Sequence, residues 1–279
     1  MDASQPAPAM HKADWLLRIA ILLYALGLTR GLFTRVGSSI GSIALLEFDI
    51  DHAHILLGEM IGASLVLLCA FSLLIRPTAV ALLVIATLVL TESVAGVRAG
   101  GFPFFALNPY AQTLRYLTPL ALIPLITTSR FRPSLILRCQ LSAWMLRIGI
   151  ATLFTTHGYE AWRLHPQFID FIIGSGLTLG GFEISETTAS SMLKIIAAID
   201  IIAAALVLLH PSPVLVAWLS FWGLVTALSR PISLGFASYP EVLLRASHVL
   251  APLALACLIA EIARLRRAPR QTATDPPGG

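Results

Sequence analysis

The stretch WMLRIGIATLFTTHG (residues 144–158) is a second copy of one already met, WLLRIAILLYALGLT (residues 15–29). Aligned on Trp144 and Trp15, both open Trp-x-Leu-Arg-Ile, and Arg147 falls on Arg18. Each is an apolar run with one charge near its start, the pattern of a helix entering a bilayer. These two openings divide the chain into two units, residues 1–135 and 136–263, followed by a basic tail at 264–279 that reads as disordered.

Outward from that pair, composition sets the class. The 279 residues are 57% hydrophobic and 12% charged, whereas a soluble domain carries roughly 25% charge. Apolar runs recur at close to the ~20 residues needed to cross a ~30 Å hydrocarbon layer. The reading is an all-α polytopic membrane protein with eight transmembrane helices in two four-helix repeats. The spans fall at 15–33, 54–75, 78–97, 112–128, 141–160, 190–209, 213–229 and 242–263. In each half a long connector follows the first helix. Next come two spans joined by a tight proline turn, IRPTA (75–79) and LHPSPV (209–214). The last spans share Pro-Leu-Ala-Leu, in TPLALIPL (118–125) and APLALACL (251–258). Equal order and matched motifs argue for an internal duplication. With four spans per copy, the copies lie parallel. The long connectors, 34–53 and 161–189, are too apolar for solvated loops and too short or glycine-rich to cross. They are expected to form short helices or re-entrant segments packed on protein.

Eight spans put both termini on one side. Of the 19 Lys and Arg, eleven fall on that side, with the densest clusters at 130–138 and 264–270. The positive-inside rule makes it the cytoplasm, across a bacterial-type inner membrane. A pI of about 9.3 does not imply nucleic acid, because the basic residues are spread through the loops. The three cysteines, Cys69, Cys139 and Cys257, stand alone and offer no dithiol or metal spacing.

Ionisable groups inside apolar runs cost at least ~2.5 kcal/mol at a helix centre, so each raises a functional question. Asp200 stands near the middle of its span among alanines and reads as a proton carrier or ligand contact, or else as a structural acid. His157 and Glu160 lie three apart near the end of theirs. Glu241, Arg245 and His248 follow i, i+4, i+7 spacing and share one helix face. Either they neutralise one another, or Arg245 and His248 face an anionic or carbonyl-bearing ligand. Glu59, Glu92 and Arg115 fall in the same outer layer. Gly58 and Gly62 beside Glu59 suggest close helix packing. His52, His54 and Glu59 are metal-capable residue types, but His-x-His at a span entrance is more often interfacial polarity, and no metal is assigned. Glu92 would pair with Arg98 or Arg115, and Arg230 with Glu160 or Glu241. Trp15 and Trp144 read as interfacial anchors, and Trp218 and Trp222 as packing or lipid contacts.

Each half resembles the DoxX-like family of four-span membrane proteins. The resemblance rests on LRIGIATLFTTHGYEAW (146–162), the apolar connector FIDFIIGSGLTLGGF (168–182), and AAIDIIAAALVLLHP (197–211) with its acid ahead of a small-residue run. GEMIGASLVLLCAFSLLIRP (58–77) is similar to the last of these, with Glu59 displaced. The first copy departs from the pattern by carrying Leu28 where His157 stands. The resemblance implies a four-helix unit and a link to quinone-coupled sulfur oxidation, since some family members are subunits of a thiosulfate:quinone oxidoreductase.

The functional expectation is a lipophilic ligand, a quinone first, held in the outer half of the bundle. Asp200 and His157 would move protons, and Glu59, Glu92, Arg115, Arg245 and His248 would contact the ligand. A quinone carbonyl needs a hydrogen-bond donor and a proton source, which a histidine and a protonated acid supply. Partners are the bilayer and further subunits or copies of the chain. The alternative is a non-enzymatic scaffold or transporter-like protein whose buried charges are structural or carry a proton.

Overall fold

A computed structural model describes residues 8–34, 38–100, 103–127 and 134–267, with backbone alone for 31–34. Among them every regular element is a helix. In chain order these are α1 (Pro8–Thr34), α2 (Ser39–Phe48), α3 (His52–Ile75), α4 (Ala79–Ala99), α5 (Asn108–Ala111), α6 (Thr113–Ile126), α7 (Leu135–Trp162), α8 (Pro166–Gly180), α9 (Glu186–Leu209), α10 (Pro213–Leu234), α11 (Pro240–Leu243) and α12 (Ala246–Arg267). A single 3-10 turn precedes α5 and another precedes α11.

The starts are written in the sequence. Ser38, Asp51, Thr78, Ser134, Ser185 and Ser212 each accept a hydrogen bond from a backbone N–H of the helix they precede. That satisfies one of the four amides a helix leaves unpaired at its beginning. Pro166 and Pro213 occupy first-turn positions, where a missing N–H costs nothing.

Five segments are long and apolar enough to cross a membrane: α3, α4, α9, α10 and the stretch Phe236–Arg267. Their outward residues are bare aliphatics; Leu68, Ile75, Leu209 and Val214 are 68–90% exposed. Such a surface suits lipid and would aggregate in water. The chain is a multi-pass membrane protein. α1 and α7, at 27 and 28 residues, are longer than α3, α4, α9 and α10 but less apolar along their length. α6 has only 14 residues, about 21 Å at 1.5 Å per residue, and is shorter than the span expected at 112–128. Both expected connectors hold a helix, α2 and α8.

α1 lies against α3, α6 and α12, and α7 against α9, α12 and α6. α4 packs on α6 and α2, and α10 on α12 and α8. The shared core contains Leu17, Leu114, Leu122, Leu146, Ile150, Leu255 and Leu258, all essentially inaccessible. Arg18 donates from Nη1 to the Leu73 carbonyl near the end of α3 at 2.9 Å. Arg147 donates from Nε to the Val207 carbonyl near the end of α9 at 3.0 Å. Their guanidiniums sit 5.3 and 4.0 Å from the rings of Trp15 and Trp144. These arginines therefore bind helix ends, beyond the boundary role read for the tryptophans.

Two expectations need correction. Gly58 and Gly62 bring no neighbour close; nothing lies within 4 Å of a Cβ placed at either. Helix α12 continues to Arg267, with Arg264 paired to Glu261 at 2.7 Å, so the first residues of the expected tail are helical. The remainder of the tail, from 268, lies outside the described residues.

Candidate functional site

A cavity of about 560 Å³ opens in the second half, walled by α7, α8, α9, α10 and the start of α12. Most of its wall is apolar, including Leu153, Phe154, Phe168, Phe171, Ile172 and Leu193. The polar lining is His157, Ser175, Asp200, Trp222, Thr226, Ser229, Arg230, Arg245 and His248. Leu179, Phe182 and Met192 also line it while being 72%, 58% and 42% exposed. The cavity thus opens through an apolar rim. Its residues come from the C-terminal parts of α7 and α10 and the N-terminal part of α12. It therefore lies at the end of the bundle opposite the start of α7 and the end of α12.

Asp200 is placed by the seam between α7 and α9. Gly158 allows the close approach: a Cβ there would stand 2.8 Å from Ile201 Cγ1 and 3.3 Å from the Asp200 Cβ. Asp200 is 5% exposed and faces the Trp222 indole. The two groups sit near each other, yet neither Asp200 Oδ1 nor Trp222 Nε1 completes a hydrogen bond. Trp222 is stacked on Trp218, with ring centroids 5.7 Å apart.

Arg230 is inside α10, not beyond it, because the helix runs through Pro231 to Leu234. It is 7% exposed. Its Nη1 donates to the Thr226 carbonyl and to Ser229 Oγ, and its guanidinium lies 4.6 Å from the Phe171 ring. No carboxylate pairs with it among the described residues. The expected partners are engaged elsewhere. Glu160 Oε2 is 2.8 Å from His157 Nδ1, and Glu241 Oε2 is 2.5 Å from Arg245 Nη1.

Arg245 and His248 reach the cavity from the junction of α11 and α12, on the shared face that their spacing requires. Pro252, four residues past His248, leaves that residue's carbonyl without its helical N–H. α10 comes close at this point, since a Cβ on Gly223 would stand 2.5 Å from the His248 oxygen. The rings of His157 and His248 are 6.2 Å apart.

Among the described residues, eight buried side-chain nitrogen or oxygen atoms lack a hydrogen-bond partner. Four of them, Asp200 Oδ1, Trp222 Nε1, Arg230 Nε and His248 Nε2, belong to residues that line this one cavity. A buried polar group without a partner costs about 1–3 kcal/mol, and of these four the Asp200 carboxylate and the Trp222 indole face each other.

The structure brings Asp200, His157, Arg245 and His248 together. It places Glu59 and Glu92 elsewhere, at the start of α2. Glu59 Oε1 accepts from Ser38 N and Oγ at 2.6 and 2.7 Å. Glu92 accepts from Ser39 N at 2.6 Å and Ile40 N at 3.2 Å. Anionic acceptors there satisfy the free amides of the first turn and oppose the positive end of the helix. Arg98 binds Glu47 instead of Glu92, with Nε to Oε1 at 2.6 Å. Arg115 is not among the residues that line the cavity. It donates to Gln112 Oε1 at 3.3 Å and lies 6.0 Å from the Tyr24 ring. Gln112 belongs to a closed network with Ser93 and Asn108 in the first half. His54 stands 3.5 Å from Asp51, exposed, at the entrance of α3. Sequence reasoning did not assign Arg230 or Trp222 to the site. A proline directly after Arg230 reads as a helix stop, and tryptophans at i, i+4 read as packing or lipid contacts.

No family model, curated protein or solved structure matches the chain.

Proposed function

We propose that this protein binds a bilayer-dissolved amphiphile in the second-half cavity, with a quinone as the ligand class that suits it best. The observation carrying the proposal is the cluster of four unpartnered buried polar atoms in an otherwise apolar chamber with an apolar rim. Trp222, Arg230 and Arg245 offer hydrogens to a carbonyl head, Asp200 and His157 exchange protons with it, and the aromatic and aliphatic walls enclose the ring. The tail would leave between Leu179, Phe182 and Met192. Redox chemistry, as the DoxX-like resemblance implies, would be supplied by the quinone itself together with a partner subunit.

In this reading the chain has eight spans in two parallel copies, with both termini cytoplasmic and the cavity in the outer half. Support for the duplication comes from matched contacts. α1–α3 corresponds to α7–α9, α4–α6 to α10–α12, and α2–α4 to α8–α10, while α1–α12 and α7–α6 are crossed counterparts. The arginine bonds to Leu73 and Val207 are also counterparts, each accepted two residues before the end of its helix. The cavity described above belongs to the second copy; in the first, Ser93, Asn108 and Gln112 bond to one another. A scaffold role for buried charge is thus the better account of the first copy alone.

The test is binding of a decyl-substituted benzoquinone to the purified full chain, followed calorimetrically. Wild type is expected to bind, and Arg230→Ala or Asp200→Asn to weaken binding tenfold or more, since a hydrogen bond to a charged group is worth about 1.5–3 kcal/mol. Equal binding by all three proteins would remove the cavity from the account.

A further inference from the structure

Glu160 does not line the cavity, yet it is tied to it. It lies one turn beyond His157 on α7, its side chain is 8% exposed, and its carboxylate contacts His157 Nδ1 at 2.8 Å. That is the only hydrogen bond of this carboxylate among the described residues. With Glu160 as the carboxylate, its oxygen only accepts, and Nδ1 of the imidazole is assigned the hydrogen. In a neutral ring Nε2 is then a bare acceptor. His157 lines the chamber together with Trp222, Arg230 and Arg245, whose side chains carry only donors. A ligand head that satisfies all of them needs a lone pair for the arginines and indole and a hydrogen for His157.

Resting on the ligand reading above, we infer that the cavity takes a hydroxyl-bearing head, a phenol or quinol, and that His157 accepts its proton while Glu160 positions the imidazole. In that step the ligand O–H bond breaks and its electron pair stays on oxygen. The proton forms an N–H bond at His157 Nε2. The ligand oxyanion faces Arg230, the buried cation with no carboxylate partner among the described residues, and the new imidazolium faces the Glu160 carboxylate. Two opposite charges are thus created beside groups already holding their complements, in a low-dielectric setting where that matters most. The other groups facing His157 are His248 on α12, 6.2 Å away between ring centroids, and His165 at the start of α8. Across the chamber stand Asp200 on α9, Arg230 on α10 and Arg245 beside α12. Glu160 is a positioning residue here, because it acts through His157.

A 2-hydroxy-1,4-naphthoquinone with an alkyl tail tests this, since its visible absorption reports whether its hydroxyl is ionised. The probe is bound at saturation to the full chain in detergent and titrated with acid. Wild type is expected to hold the probe ionised to a proton concentration about tenfold higher than for free probe. Glu160→Gln is expected to keep binding but to lose most of that shift, with Glu160→Asp recovering part of it. His157→Asn retains a donor for Glu160 and removes the acceptor, and is expected to lose the shift as well. If either variant changes affinity while the ionisation midpoint of bound probe stays at the wild-type value, Glu160 and His157 merely hold the helix end and the inference is wrong. If wild type binds no probe at any pH, the ligand reading fails first and takes the inference with it.

Discussion

At the scale of single residues, the buried charges divide by what they touch. Glu59 and Glu92 accept from the opening amides of α2 and have no place in the cavity. Glu92→Ala is expected to cost about 1–2 kcal/mol, the worth of a lost helix cap, and to leave ligand affinity unchanged. Thermal unfolding in detergent beside a binding titration checks both; lost affinity at unchanged stability would return Glu92 to the site. Asp200, His157, Arg245 and His248 were legible in the sequence, because an ionisable group inside an apolar run announces its own cost. Glu92 was legible as an acid inside an apolar run but not as a cap. Its partners are 52 and 53 residues away, and no local pattern shows which helix start will arrive beside it. Arg230 was hidden by Pro231. A proline ends most helices, yet here α10 continues through it and buries the arginine.

At the scale of elements, glycine has opposite meanings at two places that look alike in sequence. Gly158 lets α9 close on α7 and fixes Asp200, whereas Gly62 on α3 has open space beside it. Gly158→Leu should therefore destabilise by about 1–3 kcal/mol through overpacking. Gly62→Leu should be neutral or mildly stabilising, since leucine is the better helix former by roughly 0.5–1 kcal/mol. Unfolding midpoints measured side by side decide it, and equal losses at both would mean α3 packs against something not considered. Helix identity and helix starts were readable because serine, threonine and aspartate caps precede apolar runs. The end of α6 was nearly so: the expected span at 112–128 overruns Thr113–Ile126 only by Gln112 at its start and Thr127 and Thr128 at its end. The helical nature of the connectors was anticipated from their hydrophobicity, but not that α8 would wall a chamber.

At the scale of the whole molecule, the two halves interlock, since α1 rests on α12 and α7 on α6. Each half alone would expose a face that the other buries. Separately produced 1–133 and 134–279 are expected to aggregate, and their co-production to restore a detergent-stable complex. A stable second half alone would show that the crossed contacts are dispensable. Those contacts were beyond the sequence: the repeat can be read from matched motifs, but which helix of one copy meets which helix of the other is set by packing between faces of similar composition. The central claim is that this interlocked bundle keeps one polar chamber for a membrane-dissolved ligand. Mass spectrometry of small molecules extracted from the mildly purified protein, beside Arg230→Ala and Asp200→Asn, tests it most directly. The account predicts a lipophilic molecule with an oxygen-bearing head in wild type, depleted in both variants at unchanged fold. Wild-type protein that yields nothing beyond bulk lipid, with variants that only lose stability, would contradict it and make the buried charges structural.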